Sequence, residues 1–189
     1  AAMHVPAAIA RQACEHAAAV GADATLAFGG GSTIGLAKAI ALETGLPILA
    51  VPTTYAGSEM TPIYGITDAG LKKTGRDLRV LPRAVIYDPA LTLGLPKALS
   101  ITSALNAMAH AVEGLYAQDS NPVTDLMAEE GLRALGEAIP VLSADPQGIE
   151  ARETALYGAW LCGSVLGSVG MSLHHKLCHT LGGSFDLPH

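Results

Sequence analysis

The first half of the chain alternates two hydrophobic rhythms, and the second half keeps only one. Residues 6–20 carry apolar positions at helical spacing, with Arg11, Gln12, Glu15 and His16 between them and Gly21 after them. That predicts an amphipathic helix ending at Gly21. Ala24-Thr25-Leu26-Ala27-Phe28 is a short apolar run of strand length, followed by Gly29-Gly30-Gly31-Ser32-Thr33. Ser32 or Thr33 is placed to cap a second helix, which runs to about Glu43 and is closed by Gly45. Residues 47–51 predict a second strand and residues 83–87 a third. Strand, helix and strand at this spacing form a βαβ unit around a buried parallel sheet. Residues 53–79 are rich in Gly, Thr and Lys, which predicts loops and a small hairpin.

After Pro96 the period-two signal vanishes. Helical patterns cover residues 100–135, broken near Asn121-Pro122, and resume over 150–173. The fold class expected is therefore an α/β nucleotide-binding domain over residues 1–96 joined to an all-α helical domain over residues 97–189. Residues 155–173 carry no charge and are long enough to span a bilayer, with Gly163 and Gly167 at the GxxxG offset. Five further glycines and serines dilute that stretch, and no basic flank or aromatic belt borders it. It predicts a buried core helix whose glycines admit a neighbouring backbone, and no membrane association.

Composition narrows the function classes. Half of the residues are hydrophobic, 15% are charged and 4% aromatic, so closely packed helices of small residues are expected. A net charge of −6 argues against nonspecific nucleic-acid binding, which depends on clustered Lys and Arg. Cys14, Cys162 and Cys178 are odd in number and widely spaced, which fits a reducing, cytoplasmic compartment better than a disulfide framework. Cys178 is adjacent to His179, so on a helix it points elsewhere and reads as buried filler.

Two regions carry candidate chemistry. His175 and His179 sit one helical turn apart, and Gly182-Gly183 are expected to end that helix and let the chain bring His189 back toward it. Asn106 and His110 repeat the same offset earlier, so two helix faces and one loop histidine can converge on a cation. The competing reading is a set of hydrogen-bonded core histidines. Gly29, Gly30 and Gly31, between a strand and a helix start, suit a phosphate cradle or a plain tight turn. Gly29, Gly31 and Gly35 match the dinucleotide fingerprint loosely, the last spacing being one residue too long. The hydroxyl-rich segment from Pro52 to Glu59 follows the next strand, at the sheet end where α/β proteins bind ligands.

Taken together, Gly29 to Lys38, Pro52 to Pro62, Lys72 to Asp77, Tyr87-Asp88-Pro89, Asn106 to Tyr116, Ala155 to Cys162 and His174 to His189 resemble the iron-containing alcohol dehydrogenase superfamily along essentially the whole chain. The resemblance implies a dinucleotide, NADH or NADPH, lying in the cleft between the two domains. Its pyrophosphate would rest on Gly29, Gly30, Gly31 and Ser32. Thr53, Thr54 and Ser58 would line the nicotinamide side, and Lys73 would lie nearby. Asn106, His110, His175 and His189 correspond to the family's metal ligands, and His179 to a histidine beside the nicotinamide. Asn106 stands where the wider family has aspartate, and an amide oxygen is a weaker, neutral ligand. A divalent Fe or Zn is therefore expected to be held weakly or not at all.

The resemblance further implies that the chain is partial, opening inside the first domain and stopping on the last ligand histidine, and that it works as a homodimer. The expected activity is NAD(P)H-dependent reduction of a carbon–carbon double bond in a small dicarboxylate. His175, His179 or Tyr55 would supply a hydrogen bond or proton, and Lys176 and His174 would offset the substrate's carboxylates. The alternatives are a metal-dependent alcohol or aldehyde dehydrogenase on the same scaffold, and a noncatalytic fragment that binds a nucleotide or a partner chain.

Overall fold

A computed structural model describes residues 5–68, 71–171 and 173–185. Strand β1 (Val5–Pro6) leads into helix α1 (Ala7–Ala19), and Gly21 follows in the left-handed region at φ 63°. Strand β2 (Thr25–Gly29), helix α2 (Gly31–Thr44) and strand β3 (Ile48–Pro52) form the expected βαβ unit. Gly45 ends α2 at φ 74°, its N–H donating to the Ala41 carbonyl. The helix begins two to three residues earlier than a Ser32 or Thr33 cap would place it. Gly30 is its N-cap, the Gly30 carbonyl accepts from Thr33 and Ile34, and no side chain caps it. Ser32 and Thr33 are thus inside the first turn and do not precede it.

Strands β4 (Ile63–Asp68) and β5 (Leu71–Arg76) make the predicted hairpin, to which β1 adds in parallel. Strand β6 is only Ala84–Val85, shorter than predicted, although the N–H groups of Arg83 and Ile86 extend the bonding to Ile48 and Ala50. The β2-β3-β6 sheet is parallel throughout. It is not buried on both faces. Ala27 and Ile48 pack with Ile34, Ala37 and Ala41 of α2, whereas Leu26 (68% exposed), Phe28 (55%) and Leu49 (37%) alternate onto the opposite face, which no described element covers.

The helical part begins at α3 (Lys97–Leu115), capped by Pro96. Helix α4 (Pro122–Ala144) starts where the sequence pattern breaks: the Asn121 side chain accepts from the N–H groups of Val123 and Thr124, and Thr124 Oγ1 accepts from the Asn121 N–H. Helix α5 (Ile149–Ser168) crosses α4 where Gly131 faces Gly158. A Cβ on Gly158 would lie 2.7 Å from Leu135 Cγ and 3.1 Å from the Gly131 carbonyl oxygen. Ala104, Ala107, Ala111, Ala128, Ala155 and Ala159 fill the space between the helices, which is where the alanine-rich composition goes.

The uncharged 155–173 stretch is therefore largely a core helix, and no helix among the described residues is long and apolar enough to cross a membrane. Its GxxxG pair faces the loop after β3, not another helix. The ideal Cβ of Gly163 would lie 2.9 Å from Gly57 Cα, and that of Gly167 would lie 2.3 Å from the Met60 carbonyl oxygen. Helix α6 (Leu173–Phe185) runs straight through Gly182-Gly183, contrary to the expected stop. Glycine weakens a helix by about 1 kcal/mol relative to alanine but does not forbid it.

Cys162 is fully buried, and burial pushes its thiol up to about 12. At pH 8 iodoacetamide is expected to modify Cys14 and Cys178, both half-buried, and to reach Cys162 only after unfolding. Peptide mass mapping checks this, and native labelling of Cys162 would contradict the packing described.

Candidate active site between the glycine loop and the histidine helices

The two loops at the carboxyl ends of β2 and β3 touch. The Thr53 N–H donates to the Gly29 carbonyl at 3.1 Å. Gly29 has φ 150°, and a Cβ there would meet Thr33 Oγ1 at 2.6 Å. A Cβ on Gly30 would lie 3.0 Å from Thr54 Cγ2. Gly29 therefore needs glycine for the chain's own packing, before any ligand is considered, and a side chain at Gly30 would press on Thr54. Because no side chain caps α2, the N–H groups of Gly31 and Ser32 at its start can face an anion, and the helix dipole favours one there. Gly29, Gly30, Gly31, Ser32, Thr53 and Thr54 thus lie together. Ser58 follows in a short 3-10 turn, Ser58–Met60. Lys73 does not join them: it lies on the β4–β5 hairpin opposite Ile66 and is exposed.

Gly57 links this loop to the histidines. It adopts φ 76°, and its ideal Cβ position is 3.8 Å from His110 Nδ1. His110 is buried on α3, its ring stacked on that of His175 from α6 with centroids 4.8 Å apart and planes at 28°. Asn106 Nδ2 lies 3.5 Å from His110 Nε2, one turn earlier. Three of the four expected metal ligands are therefore adjacent. His189 and the side chain of His179 lie outside the described residues.

Glu113 was not anticipated. It is fully buried one turn beyond His110, and its Oε2 accepts from the His175 N–H at 3.2 Å and contacts His175 Nδ1 closely. With the carboxylate on Nδ1, the His175 nitrogen suited to face a metal or substrate is Nε2. His174 Nδ1 is 4.0 Å from the same oxygen, so Glu113, His174 and His175 offer ligand atoms within 4.8 Å of one another. Two imidazoles and a carboxylate fit Zn or Fe. The only sequence signal was an acid at helical offset from His110 in an otherwise alanine-rich helix.

A cavity of about 230 Å³ opens beside this cluster, lined by Thr102, Leu105, Asn106, Ala109, His174, His175 and Cys178. Cys178 is not filler. Its Sγ is 3.5 Å from His174 Nε2, because positions 174 and 178 share a helix face even though 178 and 179 do not.

Tyr55, expected as a proton donor, is instead a core residue. It is fully buried in the helical core, its N–H donates to Ser103 Oγ at 2.8 Å, and its hydroxyl accepts from Arg152 at 3.3 Å. Behind the loop lies a polar cluster that sequence reasoning missed. Lys38 is buried against the Ser58–Ile63 segment, and Tyr87 Oη donates to Glu59 Oε1 at 2.9 Å. Burial raises the Glu59 carboxyl above its ordinary range, and burial with Glu59 alongside raises Tyr87 strongly.

Known proteins share this fold. The sequence pattern of iron-containing alcohol dehydrogenases matches residues 2–89, and that of the Fe-containing alcohol dehydrogenase family, C-terminal, matches residues 100–189. The chain is 68% identical over 187 residues to maleylacetate reductase of Burkholderia cepacia, covering 99% of this chain and 53% of that protein. The crystal structure of maleylacetate reductase from Rhizobium sp. strain MTP-10005 superposes with a TM-score of 0.98 at 63% identity, covering 100% of this chain and 54% of that one. An iron-containing alcohol dehydrogenase from Thermotoga maritima superposes at 0.86 with 27% identity, covering 98% and 56%. The chain spans about half the length of the curated relatives it matches. With both halves matched and the glycine loop, Asn106, His110 and His175 in place, the chain belongs to the iron-containing alcohol dehydrogenase family.

Proposed function

We propose that the protein containing this chain reduces the carbon–carbon double bond of maleylacetate to give 3-oxoadipate, using NADH or NADPH. The observation that carries this reading is the close approach of Gly57 to His110, which sets the glycine-loop pair beside the histidine cluster. The identity to maleylacetate reductases supports the substrate. A bound reduced dinucleotide supplies hydride to the alkene carbon conjugated to the carbonyl. Gly30, Gly31 and Ser32 would hold its pyrophosphate, and Thr53 and Thr54 would line its nicotinamide side.

Negative charge then develops on the enolate oxygen, so a donor placed there lowers the barrier. His175 suits that role, since Glu113 holds its ring through Nδ1 and leaves Nε2 for the substrate. His174, on the cavity wall, would face a substrate carboxylate, whereas Lys176 is exposed and is not among the residues that line that wall. Full-length protein should consume NADH when given maleylacetate, followed by absorbance. Absence of turnover with both NADH and NADPH ends this reading.

The convergence of Asn106, His110 and His175, with Glu113 behind the His175 ring, favours one second reading, a metal-dependent alcohol or aldehyde dehydrogenase. His110 and His175, with Asn106, would hold the ion, which would polarise the substrate oxygen. Asn106→Asp adds a formal negative charge next to His110. It should raise Zn affinity on the order of tenfold, about 1.4 kcal/mol. Metal content after dialysis against graded chelator reads this directly. A wild type that already holds stoichiometric metal and oxidises alcohols would favour the second reading.

A further inference from the structure

Lys38 takes no part in the chemistry above, yet its side chain is 1% exposed and lies in a tight polar socket. Its Nζ lies 2.7 Å from the Ser58 carbonyl oxygen, 2.8 Å from that of Thr61, 2.9 Å from Thr61 Oγ1 and 2.8 Å from the Ile63 carbonyl oxygen. Thr61 Oγ1 itself donates to the Ser58 carbonyl at 3.1 Å, so its lone pairs face the lysine. Four acceptors around one nitrogen suit an ammonium with three hydrogens, whereas a neutral amine would turn its own lone pair toward one of them. Burial works against the charge and draws the group down to about 7, with Glu59 pulling the other way. A side chain buried at that penalty, and bonded wholly to one chain segment, has the geometry of a strut.

What it braces is informative. Lys38 stands two turns along α2, the helix whose first residues form the glycine cradle. The segment it grips, Ser58–Ile63, continues directly from Thr53–Gly57, which meets Gly30 through Thr54 and His110 through Gly57. The start and the middle of one helix thus hold the two ends of one loop. We propose that Lys38 is a positioning residue that sets the nicotinamide-side loop relative to the pyrophosphate cradle, so that hydride donor and histidine cluster meet at reacting distance. This rests on the dinucleotide reading given above.

The two can be tested separately in full-length protein, using calorimetry with ADP-ribose and NADH, and steady-state kinetics with whichever substrate the wild type turns over. Lys38→Met fills the volume without the donor. ADP-ribose, which lacks the nicotinamide, should bind within about threefold of wild type while kcat falls about 10- to 100-fold, the scale expected for reacting groups displaced by an ångström. Thr61→Val removes one acceptor with little change in shape, and should lower kcat in the same direction by a few-fold, with ADP-ribose binding retained. A folded Lys38→Met enzyme with kcat within about twofold of wild type overturns the inference, as does a parallel loss of kcat and ADP-ribose affinity. If Lys38→Met does not fold, Thr61→Val decides, and an unchanged kcat there overturns the inference. Wild-type protein that binds no dinucleotide sinks the cofactor reading and this inference together, whereas normal wild-type binding with unaffected variants sinks the inference alone.

Discussion

Arg152→Ala is expected to cause the largest loss of stability of any single substitution considered, on the order of 4 kcal/mol. Arg152 is fully buried, and five hydrogen bonds spread from it in three directions. Nε and one terminal nitrogen donate to the Pro146 carbonyl at 3.0 and 2.7 Å, which fixes the turn between α4 and α5. The same terminal nitrogen reaches the Leu95 carbonyl at 3.2 Å, just before α3. The other reaches Ser100 Oγ at 3.1 Å and the Tyr55 hydroxyl at 3.3 Å. Alanine leaves a cavity, removes both donors from the part-buried Pro146 carbonyl and leaves the Leu95 carbonyl only the 3.3 Å bond from Ser100 Oγ, a penalty of about 1–3 kcal/mol for a carbonyl left unpaired. Arg152→Met separates the terms, because it restores most of the volume but none of the donors. Urea unfolding midpoints at constant slope measure both variants. Arg152→Ala within about 1 kcal/mol of wild type would show that these bonds are dispensable.

Gly167→Ala should have the second largest effect, and here function suffers more than stability. A Cβ at this position would lie 2.3 Å from the Met60 carbonyl oxygen and 3.4 Å from Thr61 Cα. The obstacle is backbone, not the tip of a flexible side chain, so the loop or the helix must move. Overpacking of this kind destabilises by about 1–3 kcal/mol. The displaced loop is the one that carries Ser58 and leads back to Gly57, so a shift approaching an ångström should lower turnover in the intact enzyme about 100-fold. Gly136→Ala is the control. Its Cβ would meet nothing within 4 Å in the interior of α4, so it should raise stability by about 0.5–1 kcal/mol and leave kcat unaltered. Thermal melts and initial rates on the pair distinguish a local clash from the general effect of a helical methyl. A Gly167→Ala enzyme with wild-type kcat would mean that the loop tolerates displacement.

Local signals in the sequence were reliable where local chemistry decides the outcome. Gly21 and Gly45 stop their helices because a left-handed residue is needed there, and Asn121-Pro122 starts α4 through side-chain capping and a missing N–H. The Gly-Gly-Gly run fell between β2 and α2 as its spacing required. The failures share a different cause. Tyr55 sits in a hydroxyl-rich loop and looks like a site residue, yet Arg152, almost a hundred positions later, draws it into the core. Lys38 reads as an ordinary helix lysine until the segment twenty residues on folds over it. Glu113 is one acid among many until α6 brings His175 against it. Gly182-Gly183 look like a stop, but propensity alone does not end a helix. The expectation of a buried sheet came from strand composition, and Leu26, Phe28 and Leu49 are apolar without being covered by described residues.

The contact of Gly57 with Gly163 has a bearing on how such a cleft can change over time. At that point the loop and α5 meet main chain to main chain, so no side chain there can be shortened or lengthened to adjust the gap. Variation in what the cleft accepts must come from its walls, around Thr102, Leu105 and Asn106, while the Gly57–Gly163 seam keeps its spacing.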